Sequence, residues 1–259
     1  MAAPLTPIEG AWRFEYKYRL PVQQYLQVKN QIKPYMEIDE YTDRAPEMKY
    51  LVRSVYYDSI FLDAFNEKVD GNSDRIKFRI RTYSERLDEG TTLRAEMKVR
   101  KGAITEKYGS FISSDEYLAF MKQKHWPEVR DQVLEEFERY VHLKTLNPVL
   151  LTEYRREGYR SRSREEIRIT FDQHVRSAHS DSLFPATPLF HEHHYGLIVL
   201  EIKCIKQQPD WLRKLVQQNG LRIMANSKSP GIQNRLASAS CRGLKSPPPA
   251  RALRRAGQR

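Results

Sequence analysis

Cysteine is nearly absent from this chain of 259 residues. Cys204 lies inside an apolar stretch and Cys241 lies near the C-terminal end. Neither their number nor their spacing fits a disulfide framework or a zinc site, so a reducing, cytoplasmic setting is expected. Long apolar runs are also missing. The best, Leu197-Ile198-Val199-Leu200, stops at Glu201. No segment is expected to span a bilayer, and action at a membrane would require a membrane protein partner. Met1-Ala2-Ala3-Pro4 has neither the basic nor the apolar region of a signal peptide. No internal repeat is visible. No Ser–His or Cys–His constellation is evident, which argues against a nucleophilic mechanism of that kind.

Positive charge is plentiful but uneven. The net charge is +11, and Arg242, Lys245, Arg251, Arg254, Arg255 and Arg259 supply +6 of it with no acid among residues 242–259, leaving +5 for the rest. Bulk charge therefore does not argue for a polyanion partner, and no nucleic acid is expected. The argument rests on where the remaining charges point.

Three segments are expected: a loose leader at 1–11, one domain at 12–240, and a disordered Pro- and Arg-rich basic tail at 241–259. Within the domain, strict alternation predicts strands. In 74–83, Ile76, Phe78 and Ile80 face one way, and Lys77, Arg79, Arg81 and Tyr83 the other. The same pattern recurs at 12–20, 92–101, 148–158, 165–173 and 195–205, with further strands at 51–58 and 103–112. Helices are predicted at about 21–33, 60–68, 114–124, 128–144 and 209–219, and a short one ends near 239. Ser113-Ser114-Asp115-Glu116 is a capping-box start. Residues 174–194 read as irregular.

The polar strand faces collect Glu15, Lys17, Arg19, Lys77, Arg79, Arg81, Arg94, Glu96, Lys98, Arg100, Arg156, Arg168, Glu201 and Lys203. Two arrangements satisfy them. One is an open sheet with its charged face in water, where each charge is worth little. The other is a closed barrel with apolar residues outward against helices and charges lining a bore. Such a bore must hold water, anions and metal, because burying unpaired cations is prohibitive. Arginine predominates among the cations, and its planar fork suits phosphate oxygens.

Eight stretches occur in the order found in one family. They are Phe14-Glu15-Tyr16-Lys17-Tyr18-Arg19, Ser54-Val55-Tyr56-Tyr57-Asp58-Ser59, Lys77–Tyr83, Glu96-Met97-Lys98, Thr152-Glu153-Tyr154-Arg155-Arg156, Arg168-Ile169-Thr170-Phe171-Asp172, Leu200-Glu201-Ile202-Lys203 and Ser227-Lys228-Ser229-Pro230-Gly231. Over about 12–237 the chain resembles the vacuolar transporter chaperone (VTC) catalytic domain, a branch of the triphosphate tunnel metalloenzymes. The resemblance implies an α+β fold: a closed antiparallel eight-stranded β-barrel, the triphosphate tunnel, with surrounding helices. It implies a polymerase that builds inorganic polyphosphate from the γ-phosphate of ATP with a divalent metal, Mn2+ or Mg2+. Lys17, Arg79, Arg81, Lys98, Arg156 and Arg168 would grip phosphates, with Lys107 and Tyr154 as further contacts. Glu201 would hold the metal, and Ser227 and Lys228 would sit at one mouth. A tunnel triphosphatase and a non-catalytic polyphosphate-binding module remain alternatives.

Phosphoryl transfer asks mainly for positioning and charge neutralisation, and a phosphate oxygen is already ionised, so no general base is required. The wider superfamily carries Glu-x-Glu-x-Lys on its first strand. Here Arg13-x-Glu15-x-Lys17 replaces one carboxylate with a cation, which weakens a two-metal hydrolase reading and suits the VTC branch. The phosphate-sensing domain and membrane segments of many members are absent from this sequence, so export of product is not expected. His191-Glu192-His193-His194 lacks the helical zinc spacing and reads as a solvent loop. Glu15 reads equally as a counter-ion or a ligand. Asp58 reads as a helix cap, and Trp12, Trp126 and Trp211 as packing residues.

Overall fold

The structure is a computed structural model and describes residues 14–102, 104–163 and 166–224. The expected leader, the basic tail, Trp12, Ser227, Lys228 and the last short helix fall outside them.

Alternating strands and intervening amphipathic helices form in chain order. They are β1 (Phe14–Pro21), α1 (Val22–Ile32), β2 (Met36–Ile38), α2 (Glu40–Asp43), β3 (Tyr50–Asp58), α3 (Asp63–Val69), β4 (Arg75–Thr82), β5 (Leu93–Lys101), β6 (Ile104–Ile112), α4 (Ser114–Gln123), α5 (Gln132–Leu143), β7 (Asn147–Ser161), β8 (Ile167–His179), β9 (His191–Glu192), β10 (Leu197–Cys204) and α6 (Asp210–Gln218). The capping box at Ser113 forms in both directions with Glu116. Asp58 accepts from the backbone N–H groups of Ser59, Ala64 and Phe65, so it caps the turn into α3 as expected.

All strand pairs along the main path are antiparallel, in the order β1-β10-β8-β7-β3-β4-β5-β6, with β2 on β7 and β9 on β8. The expected closure into a barrel is not seen. Among the described residues no ladder joins β6 to β1, so the sheet has an open seam. The β1 edge is instead met by the incoming chain: Tyr18 bridges Ile223, and Met224 N donates to the Lys17 carbonyl at 2.7 Å. A further correction concerns 174–194. β8 runs on to His179, and β9 adds a short edge. The reason is a bulge: the register shifts between Glu153 and Arg155, and His174 takes φ 50, so the strand resumes where periodicity alone suggests a break.

The apolar strand backs face outward against helices, as expected. One core joins Val55, Phe78, Ile80, Ala95 and Met97 to Phe120 and Trp126 and to Leu134 and Phe137 of α5. A second joins Tyr18, Leu20, Phe171, Leu200 and Ile202 to α1 and α6. Burying each such side chain stabilises by about 1.5–3 kcal/mol. Trp126 stacks on Phe120 with centroids 3.8 Å apart, a packing role.

Gly158 fits one unanticipated feature, the β2–α2 excursion. Asp39 N donates to the Gly158 carbonyl, the Asp39 carboxylate caps α2 at Thr42 N, and Thr42 Oγ1 accepts from Gly158 N. A Cβ at Gly158 would lie 2.1 Å from Asp39 Oδ2. Gly158→Ala is therefore expected to destabilise by roughly 1–3 kcal/mol, read as a lower thermal midpoint. An unchanged midpoint would mean that the excursion yields freely.

Candidate functional site: a cationic interior

Alternation decides which side chains face away from the helices, and antiparallel register decides which of them meet. Lys17 stands opposite Glu201, Arg156 opposite Asp172, Ser54 opposite Arg81, Arg79 opposite Glu96, and Lys98 opposite both Lys77 and Lys107. Lys98 is on β5 and Glu15, Lys17 and Glu201 are on β1 and β10, far apart in the strand order. All three nevertheless act electrostatically on Lys98. The sheet therefore curls until its two ends face each other across a common interior.

Carboxylates are threaded through this interior. Arg156, on β7, makes a bidentate pair with Asp172: Nε to Oδ1 at 2.6 Å and Nη2 to Oδ2 at 2.9 Å, with Asp172 0% exposed. Its guanidinium lies over the Tyr154 ring at 5.1 Å. Arg79 donates to Glu96 Oε2 at 2.5 Å and to the Tyr56 hydroxyl at 3.1 Å, and Arg81 donates to Ser54 Oγ. Lys17 is buried between Glu15 at 2.9 Å and Glu201 at 3.6 Å. Glu201 also lies 3.3 Å from Lys203 and 4.0 Å from Arg156.

Lys98 is accessible to solvent although protein atoms surround it. Burial first, then Lys17 and Arg79, push its ammonium below the usual lysine range, and Glu15 and Glu201 oppose the shift. Lys77 is likewise lowered, chiefly by burial. Burial would raise Glu96, but Arg79 and Arg81 outweigh it and hold the carboxyl at about 2, against an ordinary 4.5. A depressed folded-state value contributes stability that is present above about 4.5 and lost as pH falls toward 2. Urea midpoints are therefore expected to drop across that window, and less steeply in Glu96→Gln. Identical profiles would refute the coupling.

Of the residues singled out from sequence, Lys17, Arg79, Arg81, Lys98, Tyr154, Arg156 and Glu201 converge. Lys107 joins through its register with Lys98. Arg168 is peripheral, 37% exposed, and pairs with Asp39 at 3.0 Å and with the Tyr50 hydroxyl at 3.4 Å. Sequence reasoning missed Asp172, Tyr56, Ser54, Asp39 and Tyr50 as partners. Asp172 could have been found, since it shares a face with Arg168 and Thr170. Asp39 could not, because it reaches the site through an excursion without periodicity. The His191–His194 stretch is less exposed than expected. His193 is buried, lies 3.0 Å from Ser177 Oγ, and is lowered to about 4 by burial and then by His191 and His194.

Among the described residues no group of three or more His, Cys, Asp or Glu is placed to hold a metal. Glu15 and Glu201 converge on Lys17 amid further cations. This donor set fits a hard divalent cation only if phosphate oxygens complete its shell, as Mg2+ sites commonly arrange. No described helix is long and apolar enough to cross a membrane.

The site is thus framed by an antiparallel sheet curled about arginines and lysines, with helices on its outer face. The chain belongs to the VTC domain family, which matches residues 12–228. Its fold is similar to that of a candidate adenylate cyclase from Bacillus halodurans: TM-score 0.52 and 13% identity, covering 86% of this chain and 96% of that one. A candidate adenylate cyclase from Vibrio parahaemolyticus has TM-score 0.45 and 13% identity over 89% of this chain and 99% of that one. A Hippeastrum protein, described as a candidate adenylyl cyclase with dominant triphosphatase activity, has TM-score 0.42 and 14% identity over 90% and 97%. At these identities the likeness concerns the fold alone. No curated protein matches the chain.

Proposed function

We propose that the domain is a metal-dependent phosphotransferase that moves the γ-phosphate of ATP onto a growing inorganic polyphosphate chain. The observation that carries this is the convergence of Lys17, Arg79, Arg81, Lys98 and Arg156, from four strands, on one interior whose carboxylates are fewer than its cations. Such an interior neutralises a linear polyanion along its length and holds donor and acceptor phosphates in line. Arg79, Arg81 and Arg156 would orient phosphoryl oxygens, Lys17, Lys98 and Lys107 would add point charge, and Tyr154 would brace Arg156. Glu201, with Glu15, would hold the divalent ion, which supplies charge neutralisation at the reacting phosphates. Ser227, Lys228 and Arg168 would act at a mouth. The domain boundaries at 12 and 240 belong to the same reading.

A second reading, a tunnel triphosphatase releasing short products, draws on a separate observation. Val52, Tyr154, Val175 and Val199 form a buried apolar cluster beside Arg156, which would hinder threading of a long chain.

Incubation of the pure protein with ATP and Mn2+, followed by gel analysis, tests both. Long polymer is expected, and free phosphate from tripolyphosphate with no polymer would select the second. Binding without turnover, unaffected by Glu201→Ala, would leave only a binding module.

A further inference from the structure

Beside the cationic interior lies a cleft of about 400 Å3 that the phosphate chemistry does not use. Tyr41, Tyr50 and Tyr83 form its aromatic wall, and Arg44, Lys49 and Arg155 contribute cations. The Tyr41 and Tyr83 rings are nearly parallel, 6.2 Å apart at 22°, and both lie 5.9 Å from Tyr50. Tyr41 is 64% exposed and Tyr83 39% exposed, so neither is needed to fill a core. Tyr50 joins the cleft to the phosphate-gripping residues. It stands opposite Arg156 in register, its hydroxyl is 3.4 Å from Arg168, and it packs against the Val52–Tyr154 cluster. Tyr41 is held at the mouth because Asp39, which caps its helix, is clamped against Gly158 and Arg168.

Exposed aromatic faces with arginines nearby suit a flat heteroaromatic ring, since every nucleobase has a π-face that stacks on tyrosine. The volume falls within the range of small-ligand clefts. We propose that this cleft is a nucleobase subsite: the base of a nucleoside triphosphate stacks on Tyr41 and Tyr83 while its phosphates pass Tyr50 and Arg168 into the cationic interior. The assignment rests on the phosphate-gripping reading above and adds where the base of its nucleotide donor is held. Stacking is tolerant of base identity, so ATP and GTP are expected to bind alike.

Calorimetric titration of the full chain with ATP and, separately, with tripolyphosphate tests it. In Tyr41→Ala/Tyr83→Ala the Kd for ATP is expected to rise about tenfold, with the Kd for tripolyphosphate little changed and Tyr41→Phe matching the wild type. If the double variant fails to fold, Tyr41→Ala alone, at an exposed site, carries the same contrast with a smaller rise. Unchanged ATP affinity, or an equal loss for both ligands, overturns the subsite and leaves the phosphate reading standing. Wild-type protein that binds neither ligand overturns both.

Discussion

Arg156→Ala is expected to lose about 3–5 kcal/mol of stability as well as phosphate binding. Asp172 is completely buried, and both its carboxylate oxygens accept from the Arg156 guanidinium. Removing the arginine leaves a charge in low dielectric without its bidentate partner. Burial works against the Arg156 charge, but Asp172, Tyr154 and Glu201 overcome it and raise the guanidinium well above its ordinary range. On the proposed function, the pair and the phosphate site share one side chain. Arg156→Met/Asp172→Leu separates the two roles. It removes both charges and is expected to recover much of the stability, measured by urea unfolding, but none of the tripolyphosphate affinity. Equal destabilisation of single and double variants would show that the buried carboxylate is not the cause.

Lys98→Ala is expected to behave in the opposite sense. Lys98 is accessible to solvent yet surrounded by protein atoms, and its ammonium is lowered by burial and by Lys17 and Arg79. In the free protein it is a charge under strain, so its removal should leave the urea midpoint unchanged or slightly higher. The cost falls on the ligand. A charge-assisted hydrogen bond to phosphate is worth about 1.5–3 kcal/mol, so affinity for tripolyphosphate should fall by roughly 10- to 150-fold. A large loss of stability with unchanged affinity would reassign Lys98 to the scaffold. The contrast between these residues would separate two kinds of interior cation: one neutralised by the fold, and one left for a ligand to neutralise.

Much of this was written locally in the chain. Period-two alternation exposes the strand faces at Lys77–Tyr83 and Leu93–Lys101 whatever their neighbours do, because successive side chains point to opposite sides of a strand. The apolar backs, the helices that cover them and the capping box at Ser113 follow from equally short-range rules. Only the tertiary fold decided which charges meet. Asp172 was visible on the face of Arg168, yet its partner is Arg156, directly opposite it on the neighbouring strand. The bulge at His174 extended β8 through residues that read as irregular, and Asp39 arrived through an aperiodic excursion that fits because position 158 has no side chain. The seam between β6 and β1 was also beyond the sequence. Alternation specifies the faces of each strand, but closure depends on accumulated twist and on what lies against the last edge, here the chain around Ile223 and Met224.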